Sequence, residues 1–121
     1  MANPNIVNVT TIQGKIVGAA LGTGSADIVT NASSSGKIFK INTIIVSNVD
    51  GTNSADATVK YYNNDNTTSY AIVSTVTIPA DSSLEVIGKN TSIYLEEGDK
   101  ITALASAASD LEIIVSYEEI S

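Results

Sequence analysis

A chain of 121 residues is long enough for one domain that buries about two-thirds of the surface its unfolded form exposes. It contains neither Cys nor His, and all six of its Lys/Arg positions are Lys. This removes Ser-His-Asp and Cys-His nucleophiles, thiolate and imidazole metal sites, disulfides and guanidinium anion clamps. The net charge of −7, with its lysines scattered, argues against nucleic acid, which needs clustered cations.

Thr, Val, Ile, Ser and Asn dominate, a vocabulary of strands and turns. No 3.6-residue periodicity is sustained, and no apolar run approaches a membrane helix of about 18 residues. The opening MANPNIVNVT has no basic, apolar leader pattern, so the expectation is a chain made and used in soluble form. In chain order, strands are expected over Ile6–Ile12, Lys15–Leu21, Ala26–Thr30 and Lys37–Asn48. Further strands are expected over Ala57–Asn63, Tyr70–Ile78, Leu84–Ile87, Ile93–Leu95, Lys100–Ala105 and Leu111–Glu119. So many short runs between Gly, Asn, Asp and Ser point to two packed sheets. The fold class expected is all-β: an antiparallel, jelly-roll-like β-sandwich, forming a single domain over 1–121.

Alternation is cleanest at the end. Leu111, Ile113, Val115 and Tyr117 share one face, opposite Glu112, Ser116 and Glu118, with Ile114 the exception. Ala57, Val59 and Tyr61 form a second stripe, and Tyr70, Ile72, Val76 and Ile78 a third, broken by Ser74. The run Ile38–Val46 is apolar on both faces, as expected of a central strand covered on both sides or of one whose outer face meets another subunit. Gly18, Gly22 and Gly24 mark the second strand as an edge or a mobile arm. Turns are expected at Ser33–Gly36, at Val49–Ser54 around Asp50-Gly51, at Asn63–Asn66 and at Pro79–Ser83.

Glu96-Glu97-Gly98-Asp99 reads first as a tight turn, with Gly98 at positive φ and Asp99 accepting from nearby backbone N–H groups. A Ca²⁺ or Mg²⁺ site made of hard oxygens is its functional alternative. Asp50 to Asp56 fails the EF-hand pattern, because Gly51 stands at its second position and no Glu closes it. The glycine-rich Gly18–Ser25 matches neither a phosphate loop nor a dinucleotide fingerprint. Tyr61 and Tyr62 must face opposite ways, leaving one of them exposed as a partner contact.

The stretch Tyr94-Leu95-Glu96-Glu97-Gly98-Asp99-Lys100-Ile101 resembles the Gly-Asp turn of trimeric jelly-roll domains of the complement and tumour-necrosis-factor kinds, and of many virion proteins. Over nearly its full length the chain resembles the small virion structural proteins of marine tailed bacteriophages, especially cyanophages. The resemblance is carried by MANPNIVNVT, by Ser35–Gly51 and by Ser109–Ile120. It implies a particle component and brings no catalytic residues with it.

The expectation is therefore a non-enzymatic virion structural protein located in the virion and made in the host cytoplasm. The role expected is a capsid decoration or cement protein acting by protein–protein contacts. A tail, neck or fibre-attachment component is one alternative; a lectin-like or calcium-binding jelly roll is another. Expected partners are itself, as a homo-oligomer such as a trimer, and major capsid or other virion proteins, without nucleic acid, membrane or cofactor. The interface residues expected are Ile6, Val7, Val9 and Ile12 on an N-terminal arm (residues 1–12), Asp50, Asn53 and Asp56 on a loop, and Tyr62.

Overall fold

A computed structural model describes residues 4–121. Its strands are β1 (Ile12–Ala20), β2 (Ala26–Thr30), β3 (Ile38–Asn48), β4 (Ala55–Asn63), β5 (Thr68–Ile78), β6 (Ser83–Ile87), β7 (Ile93–Leu95), β8 (Lys100–Ala105) and β9 (Leu111–Ile120). A short 3-10 turn at Lys89–Thr91 separates β6 from β7. One sheet has the order β1-β9-β3-β6, with β7 also pairing β3; the other has the order β2-β8-β4-β5. All pairings are antiparallel.

The pairings nest. β4 and β5 form a hairpin across the Asn64–Thr67 turn, β3 pairs β6 and β7, β2 pairs β8, and β1 pairs β9. β6 and β7 lie along successive halves of β3, at Ile44–Ser47 and Phe39–Ile41, so together they fill one strand position. A hairpin rolled up in this way is a jelly roll, and the antiparallel sandwich expected from the sequence is what forms.

The core lies between the sheets. Leu111, Ile113 and Val115 of β9 face Ala57, Val59, Ile101 and Ala103 of the second sheet, all nearly or fully buried. The C-terminal stripe is thus the one expected, with Tyr117 half-buried at its end and packed on Phe39 at 5.3 Å between ring centroids.

β3 is central in its sheet, but no element among the described residues covers its outer face. Part of its doubly apolar pattern has another cause, while Ile38 and Ile45 stay half-buried on that outer face. The pairing with β9 shifts between Ile41 and Thr43, leaving Asn42 as an extra residue. The bulge turns Ile41 and Ile44 both inward, three residues apart, where a regular strand would place them on opposite faces. Both are fully buried. Two register shifts against β4 likewise alter the stripe expected on β5: Val73 and Val76 stand opposite Val59 and Ala57, and Val73 joins Ile72 against the core.

The expected N-terminal strand does not form. Asn8 N–H donates to the Asn5 carbonyl at 2.9 Å, and Val7 N–H to Asn5 Oδ1 at 3.0 Å. The Asn side chain offers the backbone a turn in place of a ladder. Ile12 belongs to β1, so the described part of the expected arm is residues 4–11, while residues 1–3 lie outside the described residues.

Candidate assembly surface

A two-sheet sandwich has four edges, each a row of unpaired backbone groups. The β6/β7 edge is split into strands of five and three residues by the 3-10 turn. β2 has only five residues, a register shift after Asp27, and an ion pair from Lys100 to Asp27 at 3.2 Å. β5 is bulged twice and carries Thr75 at φ 53°. β1 differs from all of these. Its nine residues pair β9 without a register shift, from Ile12↔Ile120 to Ala20↔Glu112.

The outer face of β1 is bare and apolar. Val17 and Ala19 pack toward the core, so Ile12, Gly14, Ile16, Gly18 and Ala20 point outward. Ile16 is 71% exposed, Ile12 60%, and Ile114, beside Gly18 on β9, 44%. Next to Ile114 on β3 stands the half-buried Ile45. An open hollow of about 390 Å³ lies over Gly18, lined by Ala19, Ala20, Glu112, Ile113 and Ile114. Neither Gly14 nor Gly18 is required by the fold: both have ordinary φ, and an added Cβ would meet nothing closer than 3.8 Å.

Charge marks the same region. All 13 acids lie at or beyond Asp27, and the first 26 residues carry Lys15 as their single charged side chain. This segregation is visible in the sequence and could have drawn attention to residues 12–20, of which only Ile12 was among the expected interface positions.

Of the expected interface residues, Ile6 and Val7 are exposed (Val7 at 85%), while Val9 is half-buried. Their segment is pinned to the C-terminus: Thr10 and Thr11 N–H donate to the Ser121 carbonyl, and Ser121 N–H donates back to Thr11. Asp50, Asn53 and Asp56 lie at the opposite end of the sandwich, where Val49 N–H donates to the Asp110 carbonyl. The two groups are therefore not brought together.

The Asp50 loop is organised by its own bonds. Asp50 Oδ1 accepts from Thr52 N–H at 2.8 Å and Asn53 N–H at 3.2 Å, which holds the carboxyl below its usual pKa. Asp56 Oδ1 accepts from the Thr77 hydroxyl at 2.7 Å. Tyr62 is half-buried on the outer face of the second sheet beneath Lys100, whose Nζ lies 5.1 Å from the ring centroid. Tyr70 and Tyr94 are the exposed tyrosines, at 50% and 44%.

The Glu-Glu-Gly-Asp segment forms the tight turn expected of it. Gly98 has φ 86°, as the turn reading requires. Asp99 is 1% exposed; its carboxylate accepts from Asn64 N–H at 2.9 Å, Glu96 N–H at 3.0 Å and the Tyr61 hydroxyl at 3.1 Å. Burial and the Asp99 charge push the Tyr61 phenol up to about 12. Beside this turn Glu97 Oε2 accepts from Gly36 N–H, whereas its buried Oε1 has no partner. No cluster of three or more acidic side chains suited to a metal occurs among the described residues.

Two buried asparagines hold the neighbouring loops. Asn31 Nδ2 donates to the carbonyls of Lys37 and Leu95, and Asn48 Nδ2 to those of Asn53 and Ile78. Buried amides satisfied in this way fix loop geometry.

No family model and no curated protein matches the chain. Among solved structures it is similar to a subunit of the Bacillus endospore appendages, described as a novel family of disulfide-linked pili. That match has a TM-score of 0.56 and 17% identity, and covers 100% of this chain and 96% of the other. It is also similar to a chain of the acid-stable capsid of Helicobacter pylori bacteriophage KHP30, with a TM-score of 0.55 and 8% identity over 93% and 90% of the two chains. Both likenesses are of fold. This chain has no Cys, so disulfide linkage has no counterpart in it.

Proposed function

We propose that this protein is a structural component of a phage virion, a capsid decoration or cement protein that acts by contacts with its own copies and with shell proteins. The observation that carries this reading is the smooth, acid-free β1 edge, with its exposed Ile12 and Ile16, on a jelly roll similar to a chain of a phage capsid. Such an edge offers main-chain hydrogen bonds to an added strand and apolar area beside it, the two ingredients of β-augmentation. The composition supports a non-catalytic role, since it lacks His, Cys and Arg.

The test is the stoichiometry of the protein in purified particles, with its position found by labelled electron microscopy. Hundreds of copies spread over the head support decoration, and a small ring at the neck or tail supports a tail or attachment component. Absence from particles refutes the virion reading. Removing residues 2–11 addresses the N-terminal segment: unchanged incorporation would exclude it as the shell contact.

The likeness to the endospore appendage subunit favours a second reading, a filament subunit. Purified protein that forms regular fibres by electron microscopy, without a particle, would support this alternative. A calcium-dependent reading requires EDTA to lower the melting temperature.

A further inference from the structure

We infer that two copies of this chain pair through β1 in an antiparallel, two-fold arrangement centred on Ile16. The pairing joins the β1-β9-β3-β6 sheets of both copies into one continuous sheet. This deepens the self-assembling part of the proposed function and rests on it.

The choice of partner follows from the edges. A chain that polymerises head to tail needs two different open edges, one to offer and one to receive. Here β2, β5 and β6/β7 are shortened, bulged or split, and β1 alone is long and regular. A single regular edge is satisfied by pairing with itself, which consumes the β1 rows of unpaired groups in both copies and closes the assembly.

The register follows from length. β1 runs from Ile12 to Ala20, so Ile16 is its midpoint, and only a two-fold at Ile16 pairs all of its residues. In that register Ile16 faces Ile16 of the other copy, Gly14 faces Gly18, and Ile12 lies beside Ala20. Each copy's Ile12 then stands at the rim of the other's hollow over Gly18, and the glycines that the fold does not itself require fall opposite one another. Lys15 faces Val17, so no like charges are directly opposed.

Charge also fits a second copy. Two chains of net charge −7 repel in general, and they approach at least cost where neither presents an acid. Residues 12–20 contain none. On the neighbouring β9 strands, Glu118 lies beside Gly14 and Glu112 beside Ala20. The two-fold places these next to the other copy's Gly18 and Ile12, with no acid facing an acid.

The absence of Cys makes the test direct. Ile16→Cys is expected to give a covalent dimer on mild oxidation, at twice the 12.5 kDa chain mass, because directly opposed residues lie about 5 Å apart. Ile12→Cys is expected to remain uncrosslinked, because the two copies of position 12 are about 27 Å apart in this register. Ile16→Lys places two cations face to face and is expected to weaken dimerisation at least tenfold by native mass spectrometry or sedimentation, with an unchanged circular dichroism spectrum. Wild-type protein that sediments as a monomer at tens of micromolar overturns the pairing. So does efficient crosslinking of Ile12→Cys with none of Ile16→Cys. A monomeric protein still recovered on particles would refute the pairing and leave the virion role standing; a β1-paired dimer absent from particles would do the reverse.

Discussion

Asp99 offers the most informative perturbation of the fold. Its buried carboxylate receives Asn64 N–H, Glu96 N–H and the Tyr61 hydroxyl, and so ties the β4–β5 turn to the β7–β8 turn. Asp99→Ala leaves three donors without their acceptor. Hydrogen bonds to charged groups are worth roughly 1.5–3 kcal/mol each, and stranded donors add their own desolvation cost. Water reaching the partly exposed Tyr61 and Asn64 recovers part of this, so the expected loss is about 4 kcal/mol, or a melting temperature lower by about 15 °C. Asp99→Asn can keep an oxygen toward Tyr61 and Glu96 but turns its NH2 toward Asn64 N–H. Its expected loss is about 2 kcal/mol. Tyr61→Phe removes one bond and is expected to cost about 1 kcal/mol. Urea melts of the three variants order them as Ala, then Asn, then Phe. An Asp99→Ala variant no less stable than Tyr61→Phe would refute the account of the turn as a three-donor clamp.

Gly98 has positive φ, and a Cβ there would meet the Asn64 side chain at 2.6 Å, so Gly98→Ala should cost at least about 1–2 kcal/mol, read by thermal melting. Adjacent residues on β9 should separate sharply in urea titration: Ile113→Ala, fully buried, is expected to lose about 2–5 kcal/mol, and the exposed Ile114→Ala less than about 1 kcal/mol. Alkaline titration should find Tyr61 ionising late, at about 12 against an ordinary 10.0. The folded state holds that proton while the unfolded chain releases it, so this contribution is complete below pH 10 and is lost as pH rises toward 12. Burial raises Tyr117 in the same direction. Absorbance at the phenolate band and stability measured across this range check both, and Tyr61→Phe should flatten the dependence.

The fold class was legible because strand periodicity and turn chemistry are local. Leu111 to Tyr117 alternates so regularly that its inward face follows from the side-chain period of two. The Gly98 turn was legible for the same reason, since a small residue before an acid specifies a left-handed position and a nearby acceptor. Local pattern failed where one residue interrupts the count. The Asn42 bulge turned Ile41 and Ile44 to the same side, and the Asn5 side chain replaced an expected strand with a turn.

The candidate surface was only half legible. Residue order alone shows that acids are missing before Asp27 and that glycines interrupt residues 12–20. Whether a strand lies at an edge, and whether that edge is bulged, short or covered, depends on which strands pair across long stretches of chain. β1 pairs β9 about a hundred residues away and leaves its other side open because the nested roll ends there. The sequence by itself determined the alternating faces, the turns and a chemistry without base, thiol or guanidinium. The glycines also marked the β1 region as an edge or arm. Tertiary structure alone decided which other strands stand at the four edges and that β1 among them is the regular one, because edges and register shifts are set by non-local pairing.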